Sequence, residues 1–436
     1  MTRPSSAQPS ESPAGLHLVL DLVRAGDGRT RPELVRRSGL GRKLVAQRVD
    51  QLITAGLVVD GELGPSTGGR APRELRFRAE AGLLLVAELG WTSLSVGVTD
   101  LAGCLLDQHE EPADISAGPE GILGRLEDLF DEMLAARGPA RPPVWGVGVG
   151  VLGPVNAATG RPVPLPFLPG WGDYPVRDRF AARYAVPVFV DNEINLMALG
   201  EFRGGLGRGE RDVVFIKLGS GIGAGLISGG RLHRGANGAA GELGHISVVD
   251  DESVRCWCGN IGCLVQMAGG EAIARLGTAA ADSGRSQRLA ALRAAGEKID
   301  AQAVAAAAAA GDAASVELLT QAGRHIGGVV AGLVDIFNPT LILLGGGVAR
   351  AGDLLLAAIR ETVYRRSLPL STRDLRVTFS PLSDTAGMIG ASYMVIDGLF
   401  SRELLGHWID AGSPVGRTDL TDGHYDASDF VLAGEG

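Results

Sequence analysis

Cysteine is scarce in this chain of 436 residues, which contains only four. So few cysteines exclude a disulfide scaffold, because disulfide-stabilised domains are small and cysteine-dense. No run of about 18 apolar residues occurs, which excludes a transmembrane helix by the usual length criterion. The polar start of the chain also lacks the apolar stretch of a signal peptide. These absences predict a cytoplasmic protein that does not contact a membrane.

Two common nucleotide-binding motifs are also absent, since no Gly-Lys-Ser/Thr P-loop and no Rossmann fingerprint occur. Glycine itself is abundant, with 65 residues, which indicates many tight turns or close approaches of the backbone to a ligand. A strand–turn–strand pattern with a Gly, Ser or Thr tip appears twice, near 85–98 and near 213–227. Such tips let backbone N–H groups approach phosphate oxygens, although one glycine-rich hairpin alone is weak evidence.

Positive charge is unevenly distributed along the chain. Residues 1–80 hold 13 Lys and Arg against 9 Asp and Glu, whereas the whole chain has a net charge of −9. A basic end on an acidic body indicates that this end meets a polyanion. Random variation of surface charge is the alternative explanation.

The first 80 residues show the pattern of a winged helix-turn-helix. Apolar spacing predicts a helix over 16–24, and Thr30 with Glu33 three residues later predicts the capped start of a second helix. A third helix is predicted over 41–55, followed by two short strands at 56–60 and 75–77. We expect residues 14–80 to form this domain and residues 1–13 to be a disordered tail.

Basic and amide side chains are concentrated on the predicted third helix and on the loop between the two strands. Arg pairs with guanine and Gln with adenine in the major groove, and an Arg at the tip of a wing suits a narrow minor groove. The predicted DNA contacts are Arg42, Lys43, Gln47, Arg48 and Arg70. A small three-helix domain with solvated arginines is the structural alternative.

From about residue 82 the pattern changes to hairpin-spaced strands followed by alternating helices and strands, which predicts an α/β fold with mixed sheets. This body resembles the ROK family (repressors, open reading frames, sugar kinases), which has an actin-like, two-lobed sugar-kinase fold. The resemblance spans about residues 82–396. The motifs that carry it are Leu168-Pro169-Gly170-Trp171, Asp191-Asn192-Glu193-Ile194-Asn195, Gly238-Ala239-Ala240-Gly241-Glu242-Leu243-Gly244-His245, Cys256-Trp257-Cys258-Gly259-Asn260-Ile261-Gly262-Cys263 and Leu344-Gly345-Gly346-Gly347-Val348.

The resemblance implies boundaries for the rest of the chain. The first lobe is expected over 81–198 together with 385–400, and the second lobe, with a zinc loop, over 199–384. Residues 401–436 form an extension about which the resemblance says nothing. Phe400, at the end of the first lobe, and Leu404, Leu405 and Trp408 of the extension predict one amphipathic helix before a polar, disordered tail.

Three of the four cysteines fall within eight residues and follow a histidine. One His and three Cys make a closed four-ligand set, as structural tetrahedral Zn²⁺ requires, and thiolates disfavour Mg²⁺ and Ca²⁺. ROK proteins carry the same quartet. We therefore predict zinc as the cofactor, with a structural rather than a catalytic role, held by His245, Cys256, Cys258 and Cys263.

The ROK sugar kinases imply a ligand site in this chain as well. Asn192, Glu242 and His245 match sugar-binding positions of these kinases, and Gly170 lies in a matching motif. Glu193 stands where they have the catalytic Asp. Phe167 and Val265 stand where they have a hydrogen-bonding Asn and Glu, so a sugar hydroxyl would lose a partner at each. The predicted ligand contacts are Gly170, Asn192, Glu193, Glu242 and His245.

The side of the cleft that binds ATP in the kinases is also altered. The family's first phosphate loop reads Asp-x-Gly-Gly-Thr, whereas this chain has Glu88-Leu89-Gly90-Trp91-Thr92. Phosphoryl transfer depends on positioning, so these changes predict no kinase activity. The function predicted is a homodimeric repressor that binds operator DNA and responds to a carbohydrate-like effector. Two alternatives remain: an ATP-dependent sugar kinase that also binds DNA, and a regulator with a non-sugar effector.

Overall fold

The computed structural model describes residues 14–63 and 73–421. Its N-terminal unit has three helices followed by a two-stranded antiparallel sheet, which confirms the predicted winged helix. The predicted wing tip with Arg70 lies outside the described residues. The elements are α1 (Ala14–Arg24), α2 (Arg31–Ser38), α3 (Arg42–Thr54), β1 (Val58–Leu63) and β2 (Arg73–Phe77).

The second helix begins and ends where its local sequence dictates. The Thr30 hydroxyl accepts a hydrogen bond from the Glu33 N–H, and the Glu33 carboxylate accepts one from the Thr30 N–H. This capping box satisfies two backbone donors that the first turn would otherwise leave unpaired. Gly39 adopts a φ of 69° and ends the helix. The turn that follows sets the approach of α3.

The first lobe is built on a five-stranded mixed sheet in the order β5-β4-β3-β6-β9. Strands β3, β4 and β5 are antiparallel neighbours, whereas β3, β6 and β9 run parallel. The elements are β3 (Leu83–Leu89), β4 (Ser93–Asp100), β5 (Leu105–Pro112), α4 (Pro119–Ala136), β6 (Val144–Val151), β7 (Val155–Asn156), β8 (Arg161–Pro162), α5 (Val176–Tyr184), β9 (Val188–Asn192) and α6 (Glu193–Gly204).

The second lobe repeats this arrangement, with a sheet in the order β12-β11-β10-β13-β14. Again three antiparallel strands are followed by two parallel ones, which confirms the two-lobed fold with mixed sheets. The elements are β10 (Val213–Leu218), β11 (Ile222–Ser228), β12 (Arg231–His233), α7 (Leu264–Ala268), α8 (Gly270–Asp282), α9 (Gln287–Ala294), α10 (Ala301–Ala309), α11 (Ala313–Phe337), β13 (Leu341–Gly345), α12 (Asp353–Arg366), α13 (Pro369–Thr372) and β14 (Arg376–Phe379). Helix α14 (Ala386–Leu399) then packs on the sheet of the first lobe, and α15 (Leu405–Trp408) follows it.

Helix α14 returns from the second lobe and crosses α6 at very short range. A Cβ atom on Gly390 would lie 1.7 Å from the carbonyl oxygen of Leu196, and one on Gly200 would lie 2.0 Å from that of Ala386. Only glycine allows the two backbones to approach this closely.

Helix α6 is also continuous across residues 198 and 199, where we expected the first lobe to end.

The C-terminal extension corrects one prediction. Its apolar residues do not form one amphipathic helix, because α15 covers only four residues and is followed by a 3₁₀ turn at Ile409–Ala411. The Ser401 hydroxyl accepts a hydrogen bond from the Leu404 N–H at 3.0 Å, which is the pattern of an N-cap and starts a new, short helical segment after α14. Phe400, Leu404, Leu405 and Trp408 are nevertheless all buried. The predicted disordered segments 1–13 and 422–436 lie outside the described residues.

The winged helix packs on the end of α14 and on this extension. The imidazole Nδ1 of His17 lies 2.8 Å from the Phe400 carbonyl oxygen, and the Arg24 guanidinium lies 4.8 Å from the centre of the Phe400 ring. The Gln51 amide donates a hydrogen bond to Asp410 at 3.0 Å. The winged helix is therefore in direct contact with the body.

No single helix in the described part of the chain is long and apolar enough to cross a membrane. Helices α10 and α11 meet these criteria only when taken together, and they are bent by 119° relative to each other.

Candidate functional site

The four predicted metal ligands converge in the loop that precedes α7. Their ligand atoms all lie within 4.8 Å of one another. The Cys258 and Cys263 sulfur atoms are 3.7 Å apart, and the Cys256 sulfur lies 3.7 Å from His245 Nδ1. Zn–S bonds of about 2.3 Å in a tetrahedron place neighbouring ligand atoms about 3.6–3.8 Å apart, whereas a disulfide needs about 2.05 Å. The cluster therefore fits a closed metal site.

The fold of this loop explains the convergence. Isolated bridges pair Ser247 with Cys263 and Arg255 with Ile261, so the two halves of the loop are held side by side. Burial, together with the neighbouring Cys256 and Cys258 thiols, raises the pKa of the Cys263 thiol to about 12. A bound cation would stabilise the Cys263 thiolate, which this environment disfavours.

A cleft with a volume of about 710 Å³ lies between the two lobes. Four of the five predicted ligand contacts line it: Asn192, Glu193, Glu242 and His245. The prediction for Gly170 was wrong, because this residue does not line the cleft. It instead has a φ of 83° and shapes the turn before Trp171, whose indole N–H donates to the Ile115 carbonyl.

Asn192 sits at the end of β9 and caps α6. Its side-chain oxygen accepts hydrogen bonds from the N–H groups of Ile194 and Asn195 at 2.8 and 3.2 Å. Its amide nitrogen donates to the Gly153 carbonyl at 2.9 Å and to the Glu193 carboxylate at 3.1 Å. The amide is thus fully engaged within the protein, and a ligand hydroxyl has to compete for it.

Lys217 is a cleft residue that the sequence analysis missed. Its Nζ atom lies 3.5 Å from the Glu193 carboxylate and 3.8 Å from that of Glu88. Burial raises the pKa of Glu193 to about 7 even though Lys217 opposes the shift, and burial also raises the pKa of Glu88. Burial acts to lower the pKa of Lys217, but the two carboxylates outweigh it and leave that pKa raised. The signal in the sequence that could have identified Lys217 is that it is the only charged residue in the otherwise apolar strand β10.

Trp91 spans the cleft between the two glycine-rich tips. A Cβ atom built on Gly221, in the tip of the second lobe, would lie 3.3 Å from the indole nitrogen of Trp91. The indole therefore covers backbone that a phosphate group would have to approach. The second aromatic residue predicted to alter the site, Phe167, stacks against Trp91 with ring centres 5.9 Å apart.

Glu242 and His245 complete the polar side of the cleft. The Glu242 side chain is accessible to solvent, but it lies inside the cleft, where desolvation raises its pKa. Desolvation also lowers the pKa of His245. A lowered pKa favours the neutral form of the imidazole, which is the form that binds a metal ion.

On the winged helix, three predicted DNA contacts are exposed on α3: Arg42, Lys43 and Gln47. The expectation for Arg48 was wrong, because this side chain is only 8% exposed and donates a hydrogen bond to Gln51 at 3.1 Å. It shares a helix face with the buried Val45 and Val49, which places it inward. Arg70 lies outside the described residues.

The sequence profile of the ROK family matches residues 85–398. The xylose repressor of Caldicellulosiruptor bescii is 29% identical over 88% of this chain and 96% of its own length.

Two solved structures are similar over most of the described fold. A ROK family transcriptional regulator, a homologue of the E. coli MLC protein, superposes with a TM-score of 0.78 and 27% identity over 91% of this chain and 99% of its own. A ROK family glucokinase from Streptomyces griseus, in complex with glucose and AMPPNP, gives a TM-score of 0.63 and 32% identity. The match covers 72% of this chain and 99% of that chain.

Proposed function

The chain belongs to the ROK family, and from this premise we propose that it is a DNA-binding transcriptional repressor controlled by a carbohydrate-like effector. The observation that carries the proposal is the combination of a winged helix, docked on the body, with a ligand cleft whose two glycine-rich tips are bridged by Trp91. The proposal includes operator recognition by Arg42, Lys43 and Gln47, which are all exposed on α3.

The same cleft is proposed to bind its ligand without phosphorylating it. A general base must reach the proton that it removes. Glu193 is only 3% exposed and is engaged by Asn192 and Lys217, so it is poorly placed to reach a hydroxyl. Trp91 also covers the Gly221 backbone. Both features oppose phosphoryl transfer, which depends on positioning.

We propose Zn²⁺ as the natural occupant of the Cys and His cluster. Three sulfur ligands and one nitrogen ligand fill all four positions of a tetrahedral site, which leaves no open position for catalysis. The metal would fix the loop that carries Trp257 and His245 into the cleft. Its role is therefore to shape the effector site.

Communication between cleft and DNA is proposed to run along α14. At its start, a Cβ on Gly387 would lie 1.7 Å from the Glu88 carboxylate in the cleft. At its end, Phe400 contacts His17 and Arg24 of the winged helix. An effector that binds the open and closed cleft with different affinities would shift the position of the winged helices. We also propose that the chain binds as a homodimer to an inverted repeat, because the two-fold symmetry of a dimer is matched by two inverted half-sites in the DNA.

Selection of bound fragments from sheared genomic DNA tests this function. We expect the purified chain to enrich a small set of fragments that share an inverted repeat. Fragments recovered at their input frequencies would contradict the proposal.

Sugar kinase activity is the second candidate, and the observation that favours it is the 32% identity to the Streptomyces griseus glucokinase. A coupled ADP-release assay with a panel of hexoses and pentoses separates the two functions. We expect no sugar-dependent turnover. Turnover that disappears in Glu193→Gln would establish the kinase.

A further inference from the structure

Three aromatic side chains from separate segments meet inside the cleft. Trp91 comes from the hairpin tip of the first lobe, Phe167 from the segment after β8, and Trp257 from the cysteine loop of the second lobe. The Phe167 and Trp257 ring centres are 4.0 Å apart, and the Trp91 ring centre lies 5.9 Å from that of Phe167 and 6.0 Å from that of Trp257. They form one continuous apolar wall, called here the aromatic wall.

The aromatic wall adjoins the polar side of the cleft. The His245 and Trp257 ring centres are 4.8 Å apart, and Glu242 lines the same cavity. Trp257 remains 37% exposed, so the wall presents surface that a ligand can cover. Buried Val265 extends the apolar lining. A ligand in this cleft therefore meets hydrogen-bonding groups on one side and aromatic rings on the other.

The charges of the cleft oppose a phosphorylated ligand. Among the residues that the structure describes, five carboxylates line the cavity, against two cations, Lys217 and Arg350. Both cations are already held in ion pairs, Lys217 with Glu193 and Glu88, and Arg350 with Asp384. Because both lining cations are already paired with carboxylates, neither is available to neutralise a phosphate group, which favours an uncharged ligand.

The size of the cavity completes the argument. A volume of about 710 Å³ falls within the range of about 300–1,000 Å³ typical of pockets that bury drug-sized ligands, and leaves space beyond one sugar ring. We propose that the effector is a neutral glycoside, whose sugar ring contacts Glu242 and His245 and whose aromatic or other apolar aglycone packs on the aromatic wall. This inference rests on the proposed repressor function and specifies the ligand class of the same cleft.

Calorimetric titration with matched ligand pairs tests the assignment. The probes are the phenyl α- and β-glycosides of glucose, galactose, mannose and xylose, each compared with its free sugar. We expect at least one phenyl glycoside to bind about tenfold more tightly than its free sugar, since stacking on aromatic rings contributes energy of that order. Equal or tighter binding of the free sugars, or no binding by any pair, overturns the proposal.

Variants of the aromatic wall sharpen the test. Trp257→Ala should abolish most of the preference while the zinc content stays unchanged, and Phe167→Asn should shift the preference towards the free sugar. Ile336→Ala removes an apolar side chain that is 87% exposed outside the cleft, and should leave both affinities unchanged. An unaltered preference in Trp257→Ala also overturns the proposal. Enrichment of operator fragments is measured separately, so a failure of this inference is distinguishable from a failure of the repressor function.

Discussion

At the residue scale, exposure decides which side chains of α3 can reach DNA. Lys43 is exposed on this helix, as is Lys298, which lies far along the chain in the second lobe. We predict that Lys43→Ala weakens binding to the selected operator in a gel-shift assay and lowers the salt slope by about 1, as expected for one lost phosphate contact. Lys298→Ala removes the same charge and should change neither quantity. Unaltered affinity in Lys43→Ala would count against the proposed interface.

Glu193 provides a prediction about pH. Its pKa is raised by burial to about 7, so the folded protein holds this proton over a pH range in which the unfolded chain has released it. The contribution of Glu193 to folding stability is therefore greatest at low pH and declines as the pH rises towards 7.

We predict that Glu193→Gln gains stability relative to the wild type between about pH 5 and about pH 7.5, measured by urea unfolding. Comparing the two proteins at each pH cancels the protonation of the metal ligands, which affects both equally. A difference in stability that does not vary with pH would show that Glu193 titrates normally.

Some residues of the site could be predicted from the sequence, and others could not. The metal quartet could be predicted from its residue types and spacing, whereas Asn192, Glu193 and Glu242 were predicted from the resemblance of their motifs to those of the ROK sugar kinases. The inward direction of Arg48 and the pairing of Lys217 with Glu88 and Glu193 depend on how helices and sheets pack. Such contacts between distant segments are not encoded in any short window of the chain.

At the element scale, the cysteine loop is expected to depend on its metal. Cys258→Ser removes one of four ligands, so we predict loss of bound zinc and a lower melting temperature, because metal binding contributes directly to folding. Zinc is measured by metal analysis of the purified protein. Cys104→Ser is the matched control, since Cys104 is an exposed free cysteine outside the cluster. A melting curve that is unaltered in Cys258→Ser would refute a structural metal.

The crossing of α6 and α14 yields a second prediction at this scale. Gly390→Ala places a Cβ against the Leu196 carbonyl, so the helices must separate, and we expect a loss of about 1–3 kcal/mol in the free energy of unfolding. Gly332→Ala in α11 meets no atom within 4 Å in the described structure and should be neutral or stabilising by up to about 1 kcal/mol. Denaturant titration measures both. Similar values for the two variants would contradict the close crossing.

Element types and most boundaries could be predicted because apolar periodicity and caps are local. The capped start of α2 and the strand–turn–strand of β10 and β11 are examples. The conformation of the extension after α14 could not be predicted, because its apolar residues fit one helical spacing, whereas the chain starts a new turn at Ser401 and changes to a 3₁₀ turn at Ile409–Ala411. Their burial was predicted by hydrophobicity, and their conformation was set by packing beneath the winged helix.

At the scale of the whole molecule, α14 joins the ligand cleft of a sugar-kinase fold to the winged helix. Trp91 and Lys217 occupy the region where a kinase would align phosphate and base. The contacts of Phe400 with His17 and Arg24 connect the opposite end of α14 to the winged helix. Ligand binding is therefore expected to change DNA affinity rather than to lead to turnover.

The most direct test is the affinity of the chain for its selected operator, measured by fluorescence anisotropy with and without each free sugar and phenyl glycoside. We predict that at least one ligand changes the operator Kd by fivefold or more in the wild type, the lower end of typical allosteric coupling of about 5- to 150-fold. The same ligand should have no effect on Glu242→Gln, which retains operator binding but has an altered cleft. An operator Kd that no ligand changes, or one that changes equally in Glu242→Gln, would contradict control of DNA binding through this cleft.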